Sequence, residues 1–269
     1  MKKKKILFLT PEMPPFVDES KLGTTVKHHL VALQNKGAEV RSFMPKYGTV
    51  NERRNQLHEV LRLSGINIVV NDTDQPLIIK VASIPGTKMQ MYFTENEDYF
   101  NKKTGITDEK GKISDDSDEK MLFFSKGVLE TTKKSGWQPE IINCNGWITA
   151  MVPLFLRTIL KDEPIVSQAK IIVTLHNDGF KEKLDKDLHK KLEEFGFELE
   201  NVKNFSGINY TTLMKNAIDF ADAIIIADPE TDAKLITYAH KTGKPVFTID
   251  EENTDVTLFY ETLLEEVAV

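Results

Sequence analysis

The fold of this chain is decided by residues 3–23, which read KKKILFLTPEMPPFVDESKLG. The run from Ile6 to Leu9 is short, apolar and closed by a proline, which predicts a buried parallel strand. After the loop, Thr24 or Thr25 can cap a helix that extends to about Lys36. Ligands bind at the carboxyl ends of strands in a doubly wound sheet, and this loop occupies such a place. Whether the loop can hold a phosphate is therefore the main functional question.

Composition limits the classes of protein to consider. The 269 residues are 40% hydrophobic and carry a net charge of −6, from 35 basic and 41 acidic side chains. This charge argues against non-specific nucleic-acid binding, which needs a basic surface. The single cysteine, Cys144, excludes an intrachain disulfide and fits a reducing compartment. The apolar run near the start is too short for a signal peptide or a membrane span, so we expect a cytoplasmic protein without a membrane segment.

Strands and helices alternate along most of the chain, which predicts a mostly parallel sheet covered on both faces. Further parallel strands are expected at residues 39–44, 141–144, 171–175, 223–226 and 245–249. Helices are expected at 51–62, from the cap residue Ser117 to Gly136, from 147 to about 161 with a kink at Pro153, and at 185–194, 211–220, 229–240 and 253–266.

A different pattern interrupts this alternation. Residues 66–70, 77–82 and 89–93 are strand-like runs separated only by turn residues, which predicts an antiparallel meander at the sheet edge. Residues 96–117 are polar and read as a long loop. We find no internal repeat and no linker-like stretch. The expected fold class is α/β, with one Rossmann-like, doubly wound, mostly parallel sheet and an antiparallel β-meander insertion, and residues 1–269 are expected to form one domain.

Several separated segments resemble one family of glycosyltransferases. They are residues 12–16 (EMPPF), 44–48 (MPKYG), 136–153 (around GWQPEII and WITAMVP), 173–177 (VTLHN) and, more loosely, 209–222. The chain resembles the N-terminal half of bacterial glycogen synthases and plant starch synthases, which transfer glucose from ADP-glucose to an α-1,4-glucan. The resemblance implies one half of a GT-B fold and ADP-glucose or an α-glucan as the ligand. It implies no metal and no cofactor.

The resemblance also indicates where ligand contacts would lie. His176 matches a histidine that lies beside the transferred glucose, and it is the candidate catalytic residue. Asn177, in the same motif, Trp147, which could stack on a sugar ring, and Lys21, which could reach the phosphates, are the candidate substrate contacts. Simpler explanations stay open for two of them. His176 could be a strand-end histidine bonded to backbone, and Trp147 could fill the junction between sheet and helix.

The first departure from the family lies in its phosphate loop. The loop reads Lys-Thr-Gly-Gly-Leu in the family, and residues 18–22 match it here. Asp18 stands where the lysine should face the diphosphate, and Ser20 and Lys21 stand where two glycines let backbone amides approach the ligand. A carboxylate at about 4 Å repels an anion by about 1 kcal/mol in water and by more when desolvated. We therefore expect a degenerate donor site, with Lys21 as the candidate replacement cation.

Two further departures concern a histidine motif and the length of the chain. The family reads His-x-His-Asp-Trp where this chain has Asn143, Asn145 and Gly146 before Trp147. The second half of the family's fold supplies the cations that neutralise the leaving diphosphate. That half would begin near residue 253, so we expect no second GT-B domain within these residues and no activity of the chain alone.

Two functions from different classes are compatible with these departures. One is a glycogen/starch-synthase-like glucosyltransferase that requires a partner chain for its second half or a very altered donor site. The other is a non-catalytic relative that binds a glucan, a sugar or another protein through the cleft, and that can self-associate through the surface its second half would cover. The departures at Asp18, Ser20, Lys21 and Gly146 favour the second function for the isolated chain.

Overall fold

The structure is a computed structural model, and it describes residues 1, 3–101, 105–108, 110–250 and 255–265. A ten-stranded sheet organises this part of the chain. Its strands are β1 (Lys5–Leu9), β2 (Glu39–Pro45), β3 (His58–Glu59), β4 (Ile66–Val70), β5 (Thr73–Ser83), β6 (Gln90–Glu95), β7 (Ile141–Asn145), β8 (Lys170–Leu175), β9 (Ala223–Ile226) and β10 (Val246–Thr248). Their spatial order is β10-β9-β8-β7-β1-β2-β6-β5-β3, with β4 paired to β5.

The predicted mostly parallel α/β class is confirmed. The neighbouring strands from β10 to β6 run parallel to one another. All of β7 and all but the first residue of β1 are buried, as expected for parallel strands that read as continuous apolar runs. Because β1, β7, β8 and β9 are consecutive in the sheet and parallel, the segments that follow them emerge at the same edge.

The described helices are α1 (Lys21–Asn35), α2 (Glu52–Asn55), α3 (Ser117–Ser135), α4 (Val152–Arg157), α5 (Leu188–Glu194), α6 (Leu199–Val202), α7 (Tyr210–Phe220), α8 (Ala233–Lys241) and α9 (Thr257–Glu265). Two 3-10 turns add Trp147–Thr149 and Lys203–Phe205. Among these helices, none is both long enough and apolar enough to cross a bilayer.

The predicted meander is also present. Strand β5 pairs antiparallel with both β4 and β6, and β6 joins the parallel strands through β2. The turn between β4 and β5 consists of Asn71 and Asp72, with φ of 51° and 55°. Positive φ at both turn residues matches the twist of a two-residue hairpin, and Asn and Asp adopt it at little cost.

The helix predicted at residues 51–62 is mostly wrong. Only Glu52–Asn55 is helical, and Gln56 ends it in the left-handed conformation, with φ 54° and ψ 42°. The chain then pairs with β5, where His58 lies opposite Val81 and Glu59 opposite Lys80. Pairing with a strand far along the chain therefore overrides the helical spacing of the local apolar residues.

Two predicted helix caps are displaced. Helix α1 begins at Lys21, and its cap is Ser20 rather than Thr24 or Thr25, since Oγ of Ser20 accepts a hydrogen bond from the amide of Gly23 at 2.9 Å. Helix α3 already includes Ser117, so this serine is its first residue and not its cap. Helix α1 therefore starts earlier than predicted, with the buried Leu22 in its first turn, and α3 starts at the residue that was predicted to be its cap.

Two prolines mark helix starts differently from the prediction. Pro153 lies in the first turn of α4 and follows a separate 3-10 turn, so it begins a short helix and does not kink a long one. Pro229 precedes α8, whose cap is Asp232. The helix predicted at 253–266 falls partly outside the described residues. Within the described residues, this helix is α9, Thr257–Glu265. The loop predicted at 96–117 likewise includes residues that the structure does not describe.

Candidate functional site

A cleft of about 290 Å³ lies at the carboxyl ends of β1, β7, β8 and β9, beside the first turn of α1. This is the position at which doubly wound sheets bind ligands. Its polar lining comes from the segments that follow these strands, from the start of α1 and, at Thr107, from the segment between β6 and α3. The polar residues are Glu12, Ser20, Lys21, Thr107, His176, Asn177, Asp178 and Asp228.

Lys21 and Asp228 form an ion pair across this cleft. Nζ of Lys21, in the first turn of α1, lies 2.8 Å from Oδ1 of Asp228, which follows β9. Burial would raise the pKa of Asp228, but the hydrogen bond and charge of Lys21, together with a hydrogen bond from the amide of Glu230, hold that pKa below its usual range. The same bond raises the pKa of Lys21. The positive charge near the tip of α1 is therefore already balanced by a carboxylate of the protein.

His176 is buried at the end of β8, with 3% of its surface exposed. Its Nε2 lies 3.2 Å from Oδ1 of Asn145, at the end of β7. Burial, with a smaller contribution from His29, lowers the pKa of His176 to about 3, against an opposing effect of Asp228. The imidazole is thus neutral at physiological pH and adds no positive charge to the cleft.

Asp178 contributes a carboxylate that the sequence pattern did not single out. Its Oδ2 accepts a hydrogen bond from the amide of Trp147 at 2.8 Å, and its Oδ1 accepts from the hydroxyl of Tyr210 at 2.9 Å. Burial raises the pKa of Asp178 to about 6, although both hydrogen bonds act in the opposite direction. This carboxylate is mostly ionised at neutral pH, so the cleft holds a second acidic group besides Asp228.

The geometry of Gly146 explains why no side chain stands there. Gly146 has φ 73° and ψ 167°, a conformation that is essentially restricted to glycine. A Cβ at this residue would lie 2.7 Å from Oδ2 of Asp178 and 3.3 Å from a ring carbon of Pro11. The carboxylate of Asp178 therefore occupies the space into which an aspartate at residue 146 would project.

We expect Gly146→Asp, which restores the family's residue, to lower the free energy of unfolding by about 2–4 kcal/mol. The loss combines backbone strain with a steric clash against Asp178. Urea denaturation measures it. Gly86→Asp is the matched control, because Gly86 has φ 76° but no atom near its Cβ position, so this variant carries only the strain, about 1 kcal/mol. Equal losses in the two variants would contradict the clash.

The phosphate-loop residues are divided between the cleft and a neighbouring groove. Asp18 is exposed and lines a separate groove of about 540 Å³, together with Lys27 and Arg54. Ser20 borders both spaces, and its hydroxyl bonds to the carboxylate of Glu12 while capping α1. Asp18 therefore lies outside the cleft, and its position relative to a bound diphosphate stays a prediction. The acidic groups inside the cleft are Glu12, Asp178 and Asp228.

Trp147 and Asn177 occupy different environments. The indole of Trp147 is fully buried and packs edge-on against Phe180, with ring centroids 5.2 Å apart, which supports the packing explanation over stacking on a sugar. Asn177 is exposed at the cleft edge, and its Nδ2 donates to Glu230 at 3.3 Å. The structure thus brings Lys21, His176 and Asn177 to one cleft and places Trp147 in its wall.

Asn143 and Asn145 do not face the cleft as a histidine pair would. Both are fully buried in β7, where they hydrogen-bond to each other at 2.7 Å.

The sequence analysis missed Asp178 and Asp228, although a usable signal existed. Asp178 follows β8 directly after the candidate site residues, and Asp228 follows β9 at the corresponding place. Within the described residues, no group of three His, Cys, Asp or Glu side chains is arranged to hold a metal ion.

Comparisons with known proteins agree on one family. Residues 5–244 match the family described as the starch synthase catalytic domain. A glycogen synthase of Chlorobium limicola is 40% identical over 174 residues, covering 64% of this chain and 36% of the relative. A glycogen synthase of Chlorobaculum parvum is 35% identical over 237 residues, covering 84% of this chain and 48% of the relative. The chain thus spans half or less of the length of these relatives.

A similar fold occurs in a solved structure, the catalytic domain of starch synthase IV from Arabidopsis thaliana bound to ADP and acarbose. The TM-score is 0.70 and the sequence identity is 20%, and the match covers 93% of this chain and 51% of that chain. The fold expected for one half of a GT-B enzyme is therefore confirmed.

Proposed function

Because the chain belongs to the starch synthase catalytic domain family, we propose that it is a glycogen-synthase-like protein with a degenerate donor site. In this proposal, residues 1–269 form one domain that does not by itself transfer glucose from ADP-glucose to an α-1,4-glucan. The observation that carries the proposal is the ion pair of Lys21 and Asp228. A diphosphate at the ammonium group of Lys21, which is 60% exposed, would lie beside the carboxylate of Asp228, and the two anions would compete for one cation.

The charges that remain in the cleft support the same conclusion. Glu12, Asp178 and Asp228 are acidic, Lys21 is paired, and His176 is neutral. Transfer from a nucleoside diphosphate requires positive charge or helix N-termini at the developing anion. This cleft offers the start of α1, but its single basic side chain among the described lining residues is already neutralised.

A second candidate function is the binding of a neutral sugar or glucan without catalysis. The lining is rich in groups that accept hydrogen bonds, namely the carboxylates and the neutral imidazole of His176, and Asn177 can also donate. Hydroxyl groups of a sugar match these acceptors without the repulsion that a phosphate meets. A partner chain that supplies a second half would give the first function a route to catalysis, whereas self-association would accompany the binding function.

Calorimetry distinguishes these functions. We expect no saturable heat when ADP-glucose is titrated to millimolar concentration, and saturable binding of maltoheptaose in the cleft. Asp178→Asn should weaken maltoheptaose binding, whereas Asp18→Asn, a matched change in the neighbouring groove, should leave it unchanged. Micromolar binding of ADP-glucose would overturn the degenerate donor site. Absence of maltoheptaose binding would overturn the sugar-binding function and leave the first proposal standing.

A further inference from the structure

A buried chain of hydrogen bonds connects helix α9 to the cleft. The hydroxyl of Tyr260, on α9, accepts from Nδ2 of Asn143. Oδ1 of Asn143 accepts from Nδ2 of Asn145 at 2.7 Å and from Oγ1 of Thr174 at 3.0 Å. Oδ1 of Asn145 lies 3.2 Å from Nε2 of His176. All five side chains are at most 3% exposed, so water does not compete for these groups.

The backbone of β1 sets the direction of this chain. Nδ2 of Asn145 also donates to the carbonyl of Leu9 at 3.1 Å, and a carbonyl oxygen can only accept. The amide nitrogen of Asn145 therefore faces Leu9 and Asn143, and its oxygen faces His176. The imidazole must then donate from Nε2, and in a neutral imidazole this leaves Nδ1 as the acceptor.

We propose that Tyr260 is a positioning residue that acts through Asn143 and Asn145 to hold His176 with its proton on Nε2. The acceptor Nδ1 is then presented to a hydroxyl group of a neutral ligand. This functional consequence rests on the proposed function, in which the cleft binds a sugar. Tyr260 lies beyond residues 5–244, which match the family, and both asparagines depart from the family motif, so the role does not follow from family membership.

The hydroxyl of Tyr260 favours one of two arrangements of the amides. In the observed arrangement, Nδ2 of Asn143 points to Tyr260. If both amides were reversed, Asn143 would point its oxygen to Tyr260, and Asn145 would point its nitrogen to His176, which would then carry its proton on Nδ1. A tyrosine hydroxyl satisfies either group at this place. Without the hydroxyl, the observed arrangement leaves an N–H of Asn143 buried and unpaired, whereas the reversed arrangement leaves an oxygen of Asn143 under-satisfied. The unpaired N–H costs more free energy. Removing the hydroxyl therefore shifts the balance toward the reversed arrangement, although that arrangement gives up the bond from Nδ2 of Asn145 to the carbonyl of Leu9.

Imidazole nitrogen NMR on the ligand-free protein tests this positioning at pH 7.5. We expect wild-type His176, assigned by its loss in His176→Gln, to carry its proton on Nε2. Tyr260→Phe should lower the ratio of Nε2–H to Nδ1–H tautomers by about two- to tenfold, the value of one net hydrogen bond. Tyr260→Phe keeps the ring that stacks on Phe8 with centroids 6.2 Å apart, so the fold should be retained.

Two controls separate positioning from general disturbance. Thr174→Val removes a hydroxyl from the same cluster but leaves the bond from Nδ2 of Asn143 to Tyr260 in place, so the ratio should not fall. Tyr238→Phe removes a hydroxyl that bonds to Asp219 at 2.6 Å, away from the cluster, and should have no effect. An Nδ1–H tautomer in the wild type overturns the proposal whether or not the variants fold. So does an unchanged ratio in Tyr260→Phe, or an equal fall in Thr174→Val. Because no ligand is present, failure here is distinct from failure of sugar binding.

Discussion

Lys191→Ala is expected to lower the free energy of unfolding by about 3–5 kcal/mol, because it leaves buried carboxylates without their counter-ion. Nζ of Lys191, on α5, lies 2.8 Å from Asp118, 2.9 Å from Glu119 and 2.9 Å from Asp185. The side chains of Lys191 and Asp118 are 5% and 1% exposed, so solvent cannot replace the lost partner at Asp118.

The titration behaviour of this cluster supports that expectation. Burial raises the pKa of Asp118 even with Lys191 in place. Burial would lower the pKa of Lys191, but hydrogen bonds to the three carboxylates raise it above its usual range. The acidic first turn of α3 therefore does more than complement the helix N-terminus. It anchors α5 to α3 through one lysine.

The control for this variant is adjacent in sequence. Lys190 pairs with Asp187 at 2.9 Å, but its side chain is 66% exposed, and such surface pairs contribute about 1 kcal/mol or less. Lys190→Ala should therefore lower the free energy of unfolding only slightly, as measured by urea denaturation at pH 7. If Lys191→Ala were no less stable than Lys190→Ala, the buried cluster would not stabilise the fold.

Acidification from pH 7 to pH 4.5 is expected to destabilise the protein through two buried histidines. Burial lowers the pKa of His29 to about 4 and that of His176 to about 3, from an ordinary value of 6.5. Both folded-state pKa values are depressed, so the unfolded chain takes up protons first as the pH falls below 6.5. Each histidine then lowers the free energy of unfolding by about 3 kcal/mol over this range, at about 1.4 kcal/mol for each pH unit.

Asp178 acts in the opposite direction in the same range. Its folded-state pKa is raised to about 6, so its contribution to stability is present at low pH and is lost as the pH rises through 6. Between pH 6 and pH 4.5, Asp178 raises the free energy of unfolding by about 2 kcal/mol. For these three groups together, the net loss on acidification is therefore about 4 kcal/mol, and the histidines determine its sign.

A pair of adjacent histidines gives the test of this pH dependence. His29 is buried, and its Nδ1 has no hydrogen-bond partner among the described residues, whereas its neighbour His28 is exposed. We expect His29→Leu to remove about 3 kcal/mol of the net acid loss of about 4 kcal/mol, measured by urea denaturation from pH 4.5 to pH 7.5. His28→Leu should change the pH profile much less, because burial lowers the pKa of His29 more than the charge of His28 does. Parallel profiles for His29→Leu and the wild type would show that His29 is not the titrating group.

The sequence predicted the sheet better than the helix ends. Each parallel strand is a short apolar run, and burial on both faces leaves little other explanation for such a run. The cap of α1 was misplaced because Ser20 belongs to a loop that was compared with the family as a phosphate site. The strand β3 was missed because it forms only through pairing with β5, and no local pattern encodes such a partner.

The location of the cleft could be predicted, but its charge balance could not. His176 and Asn177 follow β8, and the rule that ligands bind at the carboxyl ends of strands was sufficient to place them. The ion pair that decides the chemistry joins Lys21 to Asp228, residues 207 positions apart. No spacing rule connects them, and the acidic groups were assigned to Asp18, which lies in the neighbouring groove.

The most direct test of the degenerate donor site is a titration of ADP against nitrogen-15-labelled protein at low salt. The amide signals of Lys21, Leu22 and Gly23 report on the first turn of α1, where a diphosphate would bind. We expect these signals to remain unchanged up to millimolar ADP, because Asp228 holds Lys21 and the cleft is acidic. Saturable shifts with a micromolar dissociation constant, lost in Lys21→Ala, would contradict this conclusion.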